Sequence, residues 1–241
     1  MNAQIQDKGD RLIVWNGNAA KRGALTPELY DCIEAAMTQA HEPRIRAVIL
    51  TSEGDFFCAG GDLNVLIERR GLAEAERREK VDILHGLVRS MRASPVPIIA
   101  AVEGGAAGAG LSLAMACDLI VASKEAKFTA AYVKAGLVPD GGLTASFARL
   151  LPRTLAMEMC LLGRPVMASR FAEMGAISRL CAVGNAFDEA MALADTLAAG
   201  PREAQSAVRK LVSDAYETTE ADQLDAERDA MAAAAGRDEA A

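Results

Sequence analysis

The sequence predicts an α/β fold, because short apolar runs alternate with longer segments of helical periodicity. The apolar runs are typical of buried strands and lie at 12–15, 45–51, 98–102 and 119–122. From residue 186 onward the pattern is almost entirely helical and rich in alanine. With 241 residues, 51% of them hydrophobic, the chain can bury a sizeable core.

The first helix is predicted by its start signals and by its apolar spacing. Thr26 is a favourable N-cap, and Pro27 is favourable at the first helical position. Apolar residues then recur on one face at helical spacing: Leu29, Ile33, Ala36, Met37 and Ala40. We therefore expect an amphipathic helix between the strands at 12–15 and 45–51.

Further helices are predicted beyond the second strand. A charged segment from about Asn64 to Met91 reads as one helical stretch, and two prolines then precede the strand at 98–102. A helix of small residues follows that strand. Another helix is predicted from Gly141 to Leu150, and Asp140 is a suitable N-cap for it.

Composition excludes several classes of function. The net charge of −7 and the isoelectric point near 5.0 argue against nucleic acid as the main partner. Two histidines in the whole chain make a His-rich metal site implausible, so no metal is expected. The five cysteines show no paired spacing and indicate reduced, buried thiols. The polar start and the absence of a long apolar run predict a cytoplasmic protein that does not enter a membrane.

Two turns of small residues provide the strongest functional signal. Residues 56–63 (F-F-C-A-G-G-D-L) come after the strand at 45–51, and residues 103–111 (E-G-G-A-A-G-A-G-L) follow the strand at 98–102. Small residues let backbone N–H groups approach a ligand, so the two turns could aim two donors at one oxygen. Such an oxyanion hole stabilises an oxygen that gains charge in a transition state. The alternative is that each is merely a tight turn beside a closely packed helix.

The chain resembles the crotonase (enoyl-CoA hydratase/isomerase) superfamily. Residues 57–63 are similar to that family's F-C-A-G-x-D-L motif, and residues 109–118 are similar to its G-G-x-x-L-A-x-x-C-D motif. The resemblance extends over most of the chain. It implies a spiral of ββα repeats, with an acyl-CoA site in a core at 1–185 and a helical trimerisation segment at 186–241. Relatives usually continue past residues 236–241, so this segment is expected to be incomplete.

The resemblance also implies how a coenzyme A thioester would bind, with coenzyme A as part of the substrate and no separate cofactor. The segment 21–25 (K-R-G-A-L) matches a family K-R-N-A-L segment near the phosphates and adenine, with Gly23 in place of Asn and one local hydrogen bond therefore missing. Ordinary solvated loop charges are the alternative for the two basic residues.

The oxyanion donors correspond to the amides of Gly61 and Ala109. The implied substrate-binding residues are Lys21, Arg22, Ala24, Leu25, Ala59, Gly61, Asp62, Leu63, Ala109 and Tyr132. Asp62 is expected to support its turn more than to act as an acid.

The acid–base residues depart from the hydratase pattern. Hydratases of the family use two glutamates, and the matching positions here hold Ser112 and Tyr132. Residues 136–142 (G-L-V-P-D-G-G) instead resemble a family isomerase segment whose aspartate moves the proton. The resemblance therefore implies Asp140 as the acid and base, although an N-cap role alone is the alternative. Glu103 is the reserve carboxylate, more plausibly bonded to the backbone of its turn.

The predicted function is an enoyl-CoA double-bond isomerase that acts through an enolate held in the oxyanion hole. One carboxylate suffices for that reaction, because the proton removed from one carbon is returned to another. Enoyl-CoA hydratase is the alternative among enzymes, and a catalytically silent acyl-CoA-binding scaffold is the alternative of another class. The alanine-rich C-terminal helices predict a homotrimer or a dimer of trimers.

Overall fold

The computed structural model describes residues 2–237, and Met1 and residues 238–241, the end of the predicted trimerisation segment, lie outside the described residues. Within it the chain forms a mixed α/β fold with two sheets. The strands are Gln4–Asp7 (β1), Arg11–Asn16 (β2), Ala47–Ser52 (β3), Ile98–Val102 (β4), Gly105–Ala107 (β5), Leu119–Ser123 (β6), Lys127–Thr129 (β7), Val166–Met167 (β8) and Arg179–Cys181 (β9). The helices are Pro27–Gln39 (α1), Leu63–Glu68 (α2), Glu74–Arg92 (α3), Ala109–Ala116 (α4), Leu143–Leu150 (α5), Arg153–Leu162 (α6), Ala168–Glu173 (α7), Ala186–Ala198 (α8), Arg202–Asp214 (α9) and Glu220–Ala235 (α10).

The larger sheet has the order β1-β2-β3-β4-β6-β9, and all its pairs are parallel except β1 with β2. Its central strands are apolar without interruption because both faces are covered. Leu12 and Val14 of β2 face the main core with α1 and α3, whereas Ile13 faces a second core formed with α8. Helix α8, the first part of the predicted C-terminal segment, therefore packs directly on the central sheet.

The predicted spiral arises because each repeat places one strand in the larger sheet and then one extended segment in the second layer. Strands β3, β4 and β6 lie side by side in the larger sheet. After each of them the chain crosses to a second layer, where Cys58 bridges Ala106 of β5, and β5 pairs in parallel with β7. A helical segment then follows each crossing. Because every repeat returns in the same direction, the turns after β3 and β4 arrive next to each other.

Several predicted elements are confirmed, and the long charged helix is corrected. Helix α1 begins as expected, with Thr26 Oγ1 accepting a hydrogen bond from the Leu29 amide at 3.3 Å. The predicted stretch from Asn64 to Met91 is two helices, α2 and α3, separated by a 3₁₀ turn at Arg69–Gly71. The Ala73 amide donates to the Glu76 carboxylate at 2.8 Å, which satisfies a backbone donor at the N-terminus of α3.

The last two helices lie on the surface of the described chain. Neither α9 nor α10 contains a buried residue, and α10 packs chiefly on α9. Arg209 attaches α9 to the body: its guanidinium donates to Asp118 at 2.7 Å and to the main-chain oxygens of Met91, Arg92 and Ser94, at the end of α3. Among residues 2–237 no helix is long and apolar enough to cross a bilayer.

Candidate active site

The two predicted turns meet at the start of α4. The Ala107 amide donates to the Cys58 oxygen at 2.9 Å, which joins the first turn to β5. A Cβ atom placed on Gly60 would lie 2.8 Å from the oxygen of Ala107, too close for any larger side chain. Glycine at this position, with φ of +91°, therefore lets the first turn lie directly on the second.

The amides expected to form the oxyanion hole have no partner in the described chain. Within residues 2–237, neither the Gly61 N–H nor the Ala109 N–H donates a hydrogen bond. Ala109 is the first residue of α4, whose initial N–H groups have no intrahelical acceptor and carry the positive end of the helix dipole. The two amides belong to turns in direct contact, and neither is used by another group of the described chain.

The loop at 21–25 is attached to the first turn by backbone hydrogen bonds. The Leu25 amide donates to the Gly60 oxygen at 2.8 Å, and the Ala59 amide donates to the Arg22 oxygen at 2.9 Å. The two basic side chains of this loop are already partnered. Lys21 Nζ forms an ion pair with Asp62 at 2.6 Å, and the Arg22 guanidinium lies 3.9 Å from the centre of the Phe56 ring.

Asp62 supports its turn, as expected. Its carboxylate accepts a hydrogen bond from the Asn64 amide at 2.9 Å and caps α2, which begins at the exposed Leu63. The hydrogen bond with Lys21 is the main cause that lowers the pKa of Asp62, followed by the bond from Asn64. A carboxylate held ionised in this way is a poor candidate for a general acid.

The main-chain oxygens of Gly23 and Ala24 are held by two asparagines outside the 21–25 segment. Asn16 Nδ2 donates to the Gly23 oxygen at 2.7 Å, and Asn18 Nδ2 donates to the Ala24 oxygen at 2.9 Å. A Cβ atom on Gly23 would lie 2.6 Å from the Phe57 oxygen. The loop in this chain therefore requires glycine there and is stabilised by Asn16 and Asn18, which the sequence analysis did not single out.

Ser112, Tyr132 and Asp140 form one hydrogen-bonded group beside the second turn. The Tyr132 hydroxyl donates to Asp140 Oδ1 at 2.8 Å. The Ser112 hydroxyl lies 2.8 Å from the Tyr132 hydroxyl and donates to the Asp140 main-chain oxygen at 2.9 Å. Ser112 lies three residues after Ala109 on α4, so the group sits within one helical turn of the second candidate amide.

The helix predicted at 141–150 is corrected, and the alternative that Asp140 caps it is wrong. The helix, α5, begins at Leu143, Gly142 is at its N-cap with φ of +75°, and no side chain caps it. The Asp140 carboxylate is turned instead toward Tyr132, and only its main-chain oxygen accepts from Leu143. Gly141 makes this possible: its φ is +59°, and a Cβ atom there would lie 2.8 Å from Ser112 Cβ.

Burial is the main cause of the pKa shifts of two tyrosines and one cysteine near this group. Desolvation is the main cause that raises the pKa of Tyr132, and the neighbouring Asp140 carboxylate raises it further. Burial also raises the pKa of Tyr30, on α1, to about 12, with smaller contributions from Cys58 and Asp140. The buried Cys58 thiol has its pKa raised to about 12 by desolvation. These phenols and this thiol stay protonated at neutral pH, so none of them is a ready base.

Glu103 is committed to a structural contact. Its carboxylate accepts a hydrogen bond from the Ala186 amide at 2.9 Å, at the N-terminus of α8. The partner is thus the backbone of another element and not the turn that carries Glu103. This contact ties the second turn to the helix that covers the opposite face of the sheet.

One open cavity lies away from the paired turns, and the described residues offer no metal site. This cavity, about 860 Å³, is lined by Gln4, Ile5, Gln6, Trp15, Gly17, Asn18, Ala19, Ala20 and Glu53. Within residues 2–237 no group of three or more His, Cys, Asp or Glu side chains could hold a metal ion. The five cysteines are unpaired, and they are less buried than expected, since Cys32, Cys160 and Cys181 are only half-buried.

Comparison with known proteins gives matches over most of this chain. A family model described as enoyl-CoA hydratase/isomerase matches residues 18–240. The chain is 33% identical over 213 residues to enoyl-CoA hydratase EchA19 of Mycobacterium tuberculosis, covering 87% of this chain and 80% of that protein. It is 35% identical to 1,2-epoxyphenylacetyl-CoA isomerase of Escherichia coli, covering 84% and 76% of the two chains. The crystal structure of an enoyl-CoA hydratase from Polaromonas sp. JS666 superposes with a TM-score of 0.94 at 38% identity, over 98% of this chain and 92% of that one.

Proposed function

The chain belongs to the enoyl-CoA hydratase/isomerase family, and from this premise we propose that it is an enoyl-CoA double-bond isomerase. The observation that carries the proposal is the placement of Asp140 against Ser112 and Tyr132. The two positions that hold glutamates in hydratases of this family hold a serine and a tyrosine here. Asp140 is the carboxylate that the described chain brings to them.

In the proposed reaction the thioester oxygen of a 3-enoyl-CoA lies between the amides of Gly61 and Ala109. Asp140 removes a proton from C2, and the C–H electron pair delocalises through the carbonyl to give an enolate. The two amides stabilise its oxygen, a contribution of about several kcal/mol for donors that are already oriented toward the developing charge. Asp140 then returns the proton to C4. The double bond thereby moves from C3–C4 to C2–C3, and no water is consumed.

The substrate's remaining parts are proposed to lie along the loop at 21–25. This loop is hydrogen-bonded to the first turn through Leu25 and Ala59, so a ligand on one contacts the other. The Lys21 side chain is 61% exposed even though it pairs with Asp62, and its ammonium remains accessible to a phosphate. We place the enzyme in the cytoplasm, in keeping with its five unpaired cysteines.

Hydratase activity is the second candidate, because the relatives from M. tuberculosis and Polaromonas carry that name. The isomerase from E. coli is similar to this chain at comparable identity. A panel of 3-enoyl-CoA and 2-enoyl-CoA thioesters distinguishes the candidates. We expect 3-enoyl-CoA to be converted to 2-enoyl-CoA, with little 3-hydroxyacyl-CoA formed. Rapid addition of water to 2-enoyl-CoA would favour the hydratase, and tight binding with no turnover would favour the silent scaffold.

A further inference from the structure

The contacts of Asp140 differ between its two carboxylate oxygens. Oδ1 accepts from the Tyr132 hydroxyl at 2.8 Å. Oδ2 has no hydrogen-bond partner within residues 2–237. Asp140 as a residue is half-buried. One oxygen is therefore held by the protein, and the other is available to a substrate.

The direction of the hydrogen bonds follows from the number of hydrogens. An ionised carboxylate can only accept, so the contact of 2.8 Å requires the single hydroxyl hydrogen of Tyr132 to point at Oδ1. The contact between Ser112 and Tyr132, also 2.8 Å, can then be made only by the Ser112 hydrogen. The Ser112 hydrogen can go to the phenol oxygen, to the Asp140 main-chain oxygen or, at 3.5 Å, to the Gly108 main-chain oxygen. The first two contacts bring Tyr132 and Asp140 to α4.

Tyr132 is suited to hold this carboxylate throughout turnover. Its side chain is 8% exposed, and it belongs to the 3₁₀ turn Ala131–Ala135, eight residues before Asp140. Burial raises the pKa of its phenol, so the group keeps its hydrogen at neutral pH. When Asp140 carries the substrate's proton on Oδ2, Oδ1 can still accept from Tyr132.

We propose that Tyr132 is a positioning residue that holds Oδ1 of Asp140, so that Oδ2 is the oxygen that takes and returns the substrate's proton. Ser112 uses its one hydroxyl hydrogen to support either the Tyr132 hydroxyl or the main chain of Asp140. This proposal rests on the isomerase function proposed above. It replaces the expected contact of the Tyr132 hydroxyl with substrate, because that hydroxyl already has two protein partners. A carboxylate held by one oxygen loses rotational freedom, which favours proton transfer in a single geometry.

The test is a double-mutant cycle of Tyr132→Phe and Asp140→Asn, with kcat and KM measured for a 3-enoyl-CoA. Tyr132→Phe removes only the hydroxyl, and we expect kcat to fall about 10- to 50-fold while KM changes less than about twofold. In the Asp140→Asn background the same change should have almost no effect, because Tyr132 acts through that carboxylate. Ser112→Ala, the second variant, should lower kcat by a smaller factor of about 2 to 5.

Three outcomes would overturn the proposal. A raised KM with unchanged kcat in Tyr132→Phe would mean that the hydroxyl contacts substrate. An unchanged kcat and KM would mean that it does not assist Asp140. Equal losses in both backgrounds would mean that it acts independently of Asp140. The proposed function would fail by a different result. Either the wild-type protein does not isomerise 3-enoyl-CoA, or the wild type is active and the Asp140→Asn variant is equally active. Either result ends both proposals.

Discussion

Gly60 lies against the amide of Ala109: a Cβ atom on Gly60 would be 3.1 Å from the Ala109 nitrogen. The two turns therefore touch backbone to backbone, since neither has a side chain at the contact that could separate them. The next peptide after Gly60 supplies the Gly61 amide, and the first peptide of α4 supplies the Ala109 amide. This contact brings two unpartnered donors from distant parts of the sequence to one place.

Replacing Ala109 by proline tests the second donor. Proline at the first position of a helix has a suitable φ, and its ring puts a Cδ methylene in place of an N–H that has no intrahelical acceptor. We expect kcat for 3-enoyl-CoA isomerisation to fall by about 10²- to 10³-fold, the usual effect of losing one oxyanion donor. The melting temperature should change little. Ala109→Gly is the matched control, because it keeps the N–H, and it should retain most of the activity. A proline variant as active as this control would remove Ala109 from the oxyanion hole.

Replacing Asp140 by asparagine tests the acid and base. Asparagine has nearly the same shape and can still accept a hydrogen bond from Tyr132, but it cannot carry the proton. We expect isomerisation to fall by about two to four orders of magnitude, with little change in acyl-CoA affinity or melting temperature. Because the carboxylate does not cap α5, Asp140→Ala should also lack the stability loss of about 1 kcal/mol that a lost cap would cause. Turnover near that of the wild type in Asp140→Asn would contradict the mechanism.

Gly141 is predicted to be essential for the position of Asp140. Alanine there would combine a strained φ of +59° with a collision at Ser112 Cβ, 2.8 Å away. We expect Gly141→Ala to lower kcat at least about tenfold, because the turn that carries Asp140 must move away from α4. Gly136→Ala is the matched control, with φ of +68° and no heavy atom within 4 Å of the new Cβ. It should cost about 1 kcal/mol of folding free energy and leave kcat unchanged. Equal kcat values for the two variants would contradict the prediction.

Arg209 is predicted to stabilise the attachment of α9. Its side chain is 8% exposed and bonds to Asp118 and to three main-chain oxygens near the end of α3. Arg209→Met keeps much of the aliphatic volume and removes these charged hydrogen bonds, so we expect a loss of about 2–3 kcal/mol in the free energy of unfolding. Denaturant unfolding measures it. Arg228→Met on α10, where the arginine bonds only to nearby exposed carboxylates, should change stability by less than about 0.5 kcal/mol. A loss at Arg209 as small as this would show that α9 is held by other contacts.

We expect the protein to be a trimer or a pair of stacked trimers at micromolar concentration, as measured by light scattering. Helices α9 and α10 bury no residue on their own chain, and Val212, Leu224 and Met231 are each at least 60% exposed. Val212→Glu should dissociate an assembly in which another subunit covers Val212, because the new carboxylate would then be buried without a partner. In a monomer the same change would be nearly neutral. A monomer in the wild-type protein would contradict the prediction.

The elements with strong local signals were predictable from the sequence. Uninterrupted apolar runs indicated the four central strands, because parallel strands covered on both faces have no polar side. The start of α1 followed from Thr26 and Pro27, which act within one helical turn. Strand β1 was missed, since its residues are mostly polar and its pairing with β2 depends on an edge of the sheet formed by distant segments. The break between α2 and α3 was also missed, because Gly71 alone is a weak signal for a helix end.

The sequence by itself indicated the family and the two turns of small residues, because these depend on residue type at fixed spacing. Only the tertiary structure decided which partner each polar group takes. Asp140 looked like a helix cap from its neighbours in sequence, yet its carboxylate meets Tyr132, and Glu103 meets the amide of Ala186, 83 residues away. Competing hydrogen-bond partners differ little in free energy, so the choice rests on which of them the packed sheets and helices bring within 3 Å.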